Sequence, residues 1–231
     1  IDAPAGPSEI LVVCDTTADV RVVARELVAQ AEHDPLACAV AVVIAADTTA
    51  GDADFTDDAD NATDIAGSVD TASPSFVRRL EGALGELLAA QPRADVIRQS
   101  LAGRGGILVA ASRDEAVAFA NEYAAEHVIV VARDEQPILD ALRNVGTVFV
   151  GASSSNAFGD YMTGANHVLP TGGLARSYSG LSVLDFFRWT TWQRIDRDAA
   201  RSLAEDVGTL ADSEGLPGHA SAARAHGVAP R

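Results

Sequence analysis

Apolar and polar positions follow two alternating rhythms along this chain. Ile10 to Cys14 (ILVVC) is a short unbroken apolar run, the pattern of a strand buried on both faces. Val20, Val23, Ala24, Leu27, Val28 and Ala31 then repeat at three and four, which predicts a helix with one core face running to about His33. Asp15, Thr16 and Thr17 are its N-cap candidates, and Asp34-Pro35 ends it. Leu36 to Ala46 is a second strand candidate. Helical spacing returns over Ser75 to Ala90, and after Gln91-Pro92-Arg93 a short helix runs to about Leu101. A strand follows at Ile107 to Ala110, then a helix from Ser112 to about Ala124, opened by a Ser112/Glu115 capping box. Val128 to Ala132 is a strand, Gln136 to Asn144 a helix and Thr147 to Val150 a strand. Strands alternating with helices of this length predict an α/β domain built on a parallel sheet.

Two stretches break the rhythm. Asp47 to Asp70 holds eight Asp and no basic residue among small polar ones. It predicts a flexible, solvated insertion over about 47–72, because little in it can offset the entropy of ordering. Its Asp spacing lacks the ordered Gly and final Glu of a calcium loop. Gly159 to Gly173 (GDYMTGANHVLPTGG) packs four glycines, an acid and an Asn-His pair between patterned segments. It predicts an irregular loop whose glycines make backbone turns or bring main chain close to a ligand, a functional loop with an ordinary long connection as the alternative. Beyond it the chain turns helical again, with an apolar row at Ala200, Leu203, Val207 and Leu210. The expected division is an α/β domain over 1–187 and a helical tail over 188–231.

Composition narrows the partners. The 33 acidic residues oppose 17 basic ones, for a formal charge of −16, and every base is Arg. Such a surface repels nucleic acid and anionic membranes. Acidity without Lys resembles the proteins of salt-accumulating microbes. No apolar run approaches the roughly 18–20 residues of a membrane span, and no signal-peptide pattern opens the chain. Cys14 and Cys38 lie in apolar runs without disulfide or metal spacing, which points to a reducing cytoplasm. The chain starts at Ile1 and has its single Met at position 162, so it reads as processed or as a piece of a longer protein.

The chemistry-bearing positions are few. Gln30 and His33 stand three apart near a helix end and could share one ion, or His33 could simply meet the last carbonyls. Glu126-His127 sits at a helix–strand junction, where an acid and an imidazole could move protons; an exposed helix-end Glu beside a satisfied His is the plain alternative. Clefts open at the carboxyl edge or at a helix junction of an α/β sheet, so this is a place where such a pair could work.

Taken together, PAGPSE at 4–9, QAEH at 30–33, EH at 126–127, GDYMTGANHVLPT at 159–171 and EGLPGH at 214–219 occur in an order that resembles histidinol dehydrogenase. PRADVIRQSL at 92–101 and SGLSVLDF at 179–186 fit the same family, so the likeness covers nearly everything outside the acidic stretch.

The resemblance implies an NAD-dependent zinc enzyme that oxidises L-histidinol to L-histidine through histidinaldehyde, reducing two NAD. It implies Gln30, His33, Asp160 and His219 as zinc ligands. Glu126 and His127 would handle protons, and Ser8, Gln30, His33, His127, Asp160, Glu214 and His219 would contact substrate. His167 would line the same pocket. Family members are homodimers whose tails cross, so Glu214 and His219 would serve the partner's site. Three departures stand out. The family carries a long stretch before PAGPSE with most of the NAD-binding surface, and no GxGxxG occurs here. The chain therefore reads as the C-terminal half, an incomplete Rossmann-like sheet with a helical tail from a halophilic archaeon; the alternative is an inactive fragment that binds only zinc and histidinol. The acidic insertion is not a general family feature, and Asp34 stands where the family usually has Gly.

Overall fold

The computed structural model describes residues 6–45 and 72–227. The acidic stretch lies outside the described residues except for Ala72, which opens a helix. Two compact units make up the chain, Ile1–Val183 and Leu184–Arg231.

In the first unit, β1 (Glu9–Asp15), β2 (Cys38–Ile44), β3 (Gly105–Ala110), β4 (His127–Val131) and β5 (Thr147–Val150) form one parallel sheet in the order β3-β2-β1-β4-β5. The unbroken apolar run at 10–14 is explained by its central place. Ile10, Val12 and Cys14 pack with α1 (Val20–Ala31), α2 (Ala72–Ala89) and α3 (Ala94–Arg104) on one face. Leu11 and Val13 pack with α4 (Arg113–Tyr123) and α5 (Gln136–Ala141) on the other. Each fully buried Val, Leu or Ile contributes about 1.5–3 kcal/mol, so strand and helices hold each other in place. Burial pushes the Cys14 thiol up to about 12, as expected of a cysteine acting as a small hydrophobe.

Helix ends differ from expectation in instructive ways. The N-cap of α1 is Asp19, whose side chain accepts from the Arg21 N–H at 2.8 Å. Asp15 instead belongs to β1, where its carboxylate accepts from Thr17 and, at 2.7 Å, from the Arg133 N–H beyond β4. It thereby ties together the two loops at the point where the strand order reverses. The helix stops at Ala31, because Asp34 precedes a proline and is biased out of the helical region. Ser112 caps α4 as expected, but the Glu115 carboxylate reaches back to the N–H of Ala111.

The second unit consists of α7 (Arg197–Ser213) and α8 (Pro217–Ala225), preceded by irregular chain. Small residues Ala204, Gly208, Ala211 and Ala220 are its buried positions. A Cβ on Gly208 would lie 2.8 Å from the Arg224 guanidinium, which reaches over α7 to Glu205 and Asp212. The apolar row of α7 faces outward: Leu203, Val207 and Leu210 are 47, 48 and 64% exposed.

Candidate active site

The candidate residues of the first unit gather at the amino edge of the sheet, where α4 leads into β4, so of the two expected locations it is the helix junction and not the carboxyl edge. Ser8 immediately precedes β1, Glu9 starts it, and His127 starts β4 beside Ile10. The chain arrives there through a left-handed turn at Ala124 (φ 56°), which ends α4 and aims Glu126 inward. Gly146 permits the adjoining strand to approach, since a Cβ there would lie 2.4 Å from the Glu126 carbonyl oxygen. Glu126 and His127 are 5 and 3% exposed, so the exposed helix-end alternative does not hold.

Hydrogen bonds hold both side chains. The Glu126 Oε2 accepts from the Ser8 hydroxyl at 2.6 Å and from the Glu9 N–H at 3.0 Å. His127 Nδ1 lies 3.2 Å from the Glu9 carbonyl oxygen and 3.5 Å from Glu126 Oε2, two acceptors. This surrounding assigns the proton of the neutral ring to Nδ1 and leaves a lone pair on Nε2. Nε2 is buried without a protein hydrogen-bond partner, and Asp160 Oδ1 is 3.8 Å away.

Gln30 closes the other side. It is fully buried, and its Nε2 donates to the Ser8 hydroxyl at 2.6 Å, so Ser8 relays from Gln30 to Glu126. Its Oε1 accepts from Asn156 Nδ2 at 3.2 Å. His33 does not share its helical face: the helix has ended, and His33 is exposed in the following turn, its N–H donating to the Gln30 carbonyl. His33, Asn156 and Asp160 nevertheless line one cavity of about 180 Å³.

Asp160 is helical, which corrects the reading of Gly159 to Gly173 as irregular throughout. It lies on α6 (Asn156–Tyr161), capped by Ser155. Glu26 of α1 anchors that helix, accepting from the Asn156 N–H at 3.3 Å and from the Ser155 side chain. Burial raises the Glu26 carboxyl above its ordinary range. Gly159 is needed for packing: a Cβ would lie 2.5 Å from the Phe149 ring, which sits tilted 6.1 Å from the His127 ring. The rest of the stretch is a true loop with left-handed glycines at 164, 172 and 173. It is strapped to the start of β1, the Gly172 N–H donating to Glu9 Oε1 at 3.0 Å and the Gly6 N–H to Thr171 Oγ1 at 2.7 Å. Asn166 braces the loop internally through Val168 and Leu181, while His167 is exposed.

Glu9, Glu26 and Asn156 escaped the sequence reading. Glu9 closed the PAGPSE motif without being given a role, and Glu26 stands four residues before Gln30 on the same helix face. Glu9 is buried and its carboxyl is raised, chiefly by that burial. It also borders a larger cavity of about 600 Å³ with Cys38, Arg104, Tyr123 and Arg176, which none of Gln30, His33, Glu126, His127 and Asp160 lines. In the second unit Glu214 caps α7 and His219 lies in the first turn of α8, both exposed.

Among the described residues no three of His, Cys, Asp and Glu cluster as a metal site. The zinc set expected from resemblance draws on an amide oxygen and on a residue of the other unit. Within the first unit, His33 and Asp160 share a cavity, and the amide oxygen of Gln30 is turned toward Asn156 in the same wall. Such nitrogen and oxygen donors suit zinc.

Comparisons with known proteins point to one family. A family model described as histidinol dehydrogenase matches residues 1–53 and 41–226. Histidinol dehydrogenase of Natronomonas pharaonis is 45% identical over 221 residues, covering 95% of this chain and 46% of the relative. That of Halobacterium salinarum is 46% identical over 222 residues, with 96 and 46% covered. The crystal structure of histidinol dehydrogenase from Elizabethkingia anophelis superposes with a TM-score of 0.77 at 30% identity, over 97% of this chain and 45% of that one. The chain thus spans about half the length of the curated relatives it matches. With nearly its whole length matched, the chain belongs to the histidinol dehydrogenase family.

Proposed function

We propose that this chain carries the zinc- and histidinol-binding part of a cytoplasmic, NAD-dependent histidinol dehydrogenase, which oxidises L-histidinol to L-histidine in the last step of histidine biosynthesis. One observation carries the reading: His127 is buried, its Nδ1 beside the Glu9 carbonyl and its Nε2 unpartnered near Asp160. An imidazole so held is a proton acceptor aimed at one place.

Gln30, His33 and Asp160, with His219 of a second copy, would hold the zinc. When bound, zinc would supply a Lewis acid that orients the substrate's imidazole and amine, and NAD would accept two hydrides. His127 Nε2 takes the alcohol proton as the first hydride leaves, which gives histidinaldehyde. Glu126 has Oε2 held by Ser8 and Glu9, and its other oxygen takes a proton from the water that attacks the aldehyde carbon. Loss of the second hydride from the resulting hydrate gives the acid. In balance, histidinol, water and two NAD⁺ yield histidine carboxylate, two NADH and three protons.

A second reading is zinc and histidinol binding without turnover by this polypeptide, which spans 46% of the relatives' length. A homodimer with shared sites is supported by the outward apolar row of α7, and a salt-adapted source by the charge of −16 without Lys. Titration of the chain with zinc and then histidinol in high salt tests the common ground. One zinc per site and histidinol binding that needs it are expected; no binding of either overturns the proposal. NADH release from histidinol by this polypeptide alone would decide for the dehydrogenase over the binding-only reading.

A further inference from the structure

The cavity of about 180 Å³ is a cleft between two helices. Ala29, Glu32 and His33 line it from the end of α1 and the turn that follows, and Asn156, Ala157, Asp160 and Tyr161 line it from α6, with Arg93 beside them. The separation of α1 and α6 therefore sets how far Asp160 stands from His33. Apolar packing does little to fix that separation. The buried positions of α6 are Asn156 and Gly159, so this six-residue helix buries no apolar side chain, and Phe158 and Tyr161 are 54 and 78% exposed. A helix so short does not hold its place by itself. Gly159 settles it on Phe149 of β5, which leaves its distance from α1 to polar bonds.

Glu26 makes those bonds. It is 8% exposed, its Oε2 accepts from the Asn156 N–H at 3.3 Å, and it bonds the Ser155 side chain. The Ser155 hydroxyl accepts from the Ala157 N–H at 3.3 Å and so keeps its own proton for Glu26. Gln30, one turn further along α1, adds its bond to Asn156 Nδ2. A buried carboxyl costs stability unless hydrogen bonds offset it, and an apolar side chain would fill position 26 without that cost. What the carboxyl gains here is a grip on the first turn of α6.

We propose that Glu26 is a positioning residue for the candidate site: through Ser155 and the Asn156 N–H it sets the seat of α6 against α1, and with it the place of Asp160 relative to His33 and His127. This rests on the zinc reading given above.

The test measures zinc affinity by chelator competition, together with melting of the metal-free chain, for wild type, Glu26→Leu, Glu26→Ala, Glu26→Gln and Val23→Ala, and for Glu26→Leu in an Asp160→Ala background. Loss of a direct partner of a metal ligand weakens affinity about 10–100-fold, and Glu26 acts one step further out, so the lower end, about tenfold, is expected for Glu26→Leu. Glu26→Ala, which cannot overfill the site, should repeat that loss even if Glu26→Leu fails to fold. Glu26→Gln keeps the size and an acceptor for the Asn156 N–H, and should stay closer to wild type. Val23→Ala hollows the core beside the same helix. It should lower the melting temperature and leave zinc affinity within about twofold of wild type. In the Asp160→Ala background Glu26→Leu should change affinity by less than about twofold, since the effect passes through Asp160. Unchanged affinity in both Glu26→Leu and Glu26→Ala, an equal loss in Val23→Ala, or an equal loss with and without Asp160 overturns the inference while leaving the zinc reading intact. A wild-type chain that binds no zinc overturns the zinc reading itself and the inference with it.

Discussion

The carbonyl oxygen of Glu9 lies 3.2 Å from Nδ1 of His127, while the N–H of the same Glu9 is 3.0 Å from Glu126 Oε2. One residue of the central strand thus orients both groups proposed to move protons, and it does so with main chain. The arrangement survives any substitution at position 9 that keeps the strand. The side-chain partners are the exposed part of the design, and the predictions turn on them.

Ser8 is the weak link of the relay. Its hydroxyl accepts from Gln30 and donates to the buried Glu126 carboxylate. Ser8→Ala strips one donor from that carboxylate and one acceptor from Gln30, and a buried polar group left unpaired costs about 1–3 kcal/mol. Urea unfolding of the variant is expected to show a loss in that range. A change below about 0.5 kcal/mol, the scatter of neutral surface substitutions, would mean that the relay contributes nothing to the fold.

Gly159 and Phe149 make a contact that a single methyl would break. In Gly159→Ala the new Cβ meets the ring at 2.5 Å, and overpacking of this kind costs about 1–3 kcal/mol. The better helix propensity of Ala returns at most about 1 kcal/mol, so a net loss of stability is expected. Thermal unfolding of Gly159→Ala with and without Phe149→Leu checks it, since the smaller side chain should restore most of the loss.

The raised carboxyl of Glu26 gives a pH dependence with a definite sign. A group whose folded pKa exceeds its unfolded value binds its proton more tightly in the native state. Its contribution is fully present below the unfolded pKa, near 4.3 for Glu, and is lost as pH rises through the raised folded value. Glu26→Gln removes that titration. Relative to the variant, wild type should therefore lose stability as pH rises from about 4 through the folded pKa. Urea midpoints of both proteins over that window measure it; a difference that stays flat or runs the other way would contradict the burial argument.

Leu203, Val207 and Leu210 form an apolar row on α7 that the chain leaves exposed. Under the homodimer proposal a second copy covers it. Sedimentation velocity in high salt should show a dimer for wild type and a shift to monomer for Leu203→Glu/Leu210→Glu. Helical content should not change, because the buried positions of α7 are Ala204, Gly208 and Ala211. A wild-type monomer would count against the dimer.

The order of strands and helices, the α/β class and the family likeness were legible in the sequence, because each depends on residues near one another. Apolar runs mark strands buried on both faces, three-and-four spacing marks helices, and Ser112 and Thr147 to Val150 fall where the local pattern places them. Glu126-His127 and Asp160 were recognisable from contiguous motifs. Only the tertiary structure decided how they meet. Ser8 and Glu126 are 118 positions apart, and Asn156 and Gln30 are 126 apart, so no local pattern encodes their hydrogen bonds. The same holds for the edge of the sheet on which the site forms. That edge is set by the parallel register of β1 against β4, which brings Ile10 beside His127 and so places Ser8, Glu9, Glu126 and His127 together at the strands' amino ends. The loop Gly159 to Gly173 shows the division most plainly. Its glycines announced a special backbone, but whether a given glycine made a turn or a helix contact depended on Phe149 lying against position 159. Periodicity is a property of the chain, whereas register and close approach are properties of the packed sheet.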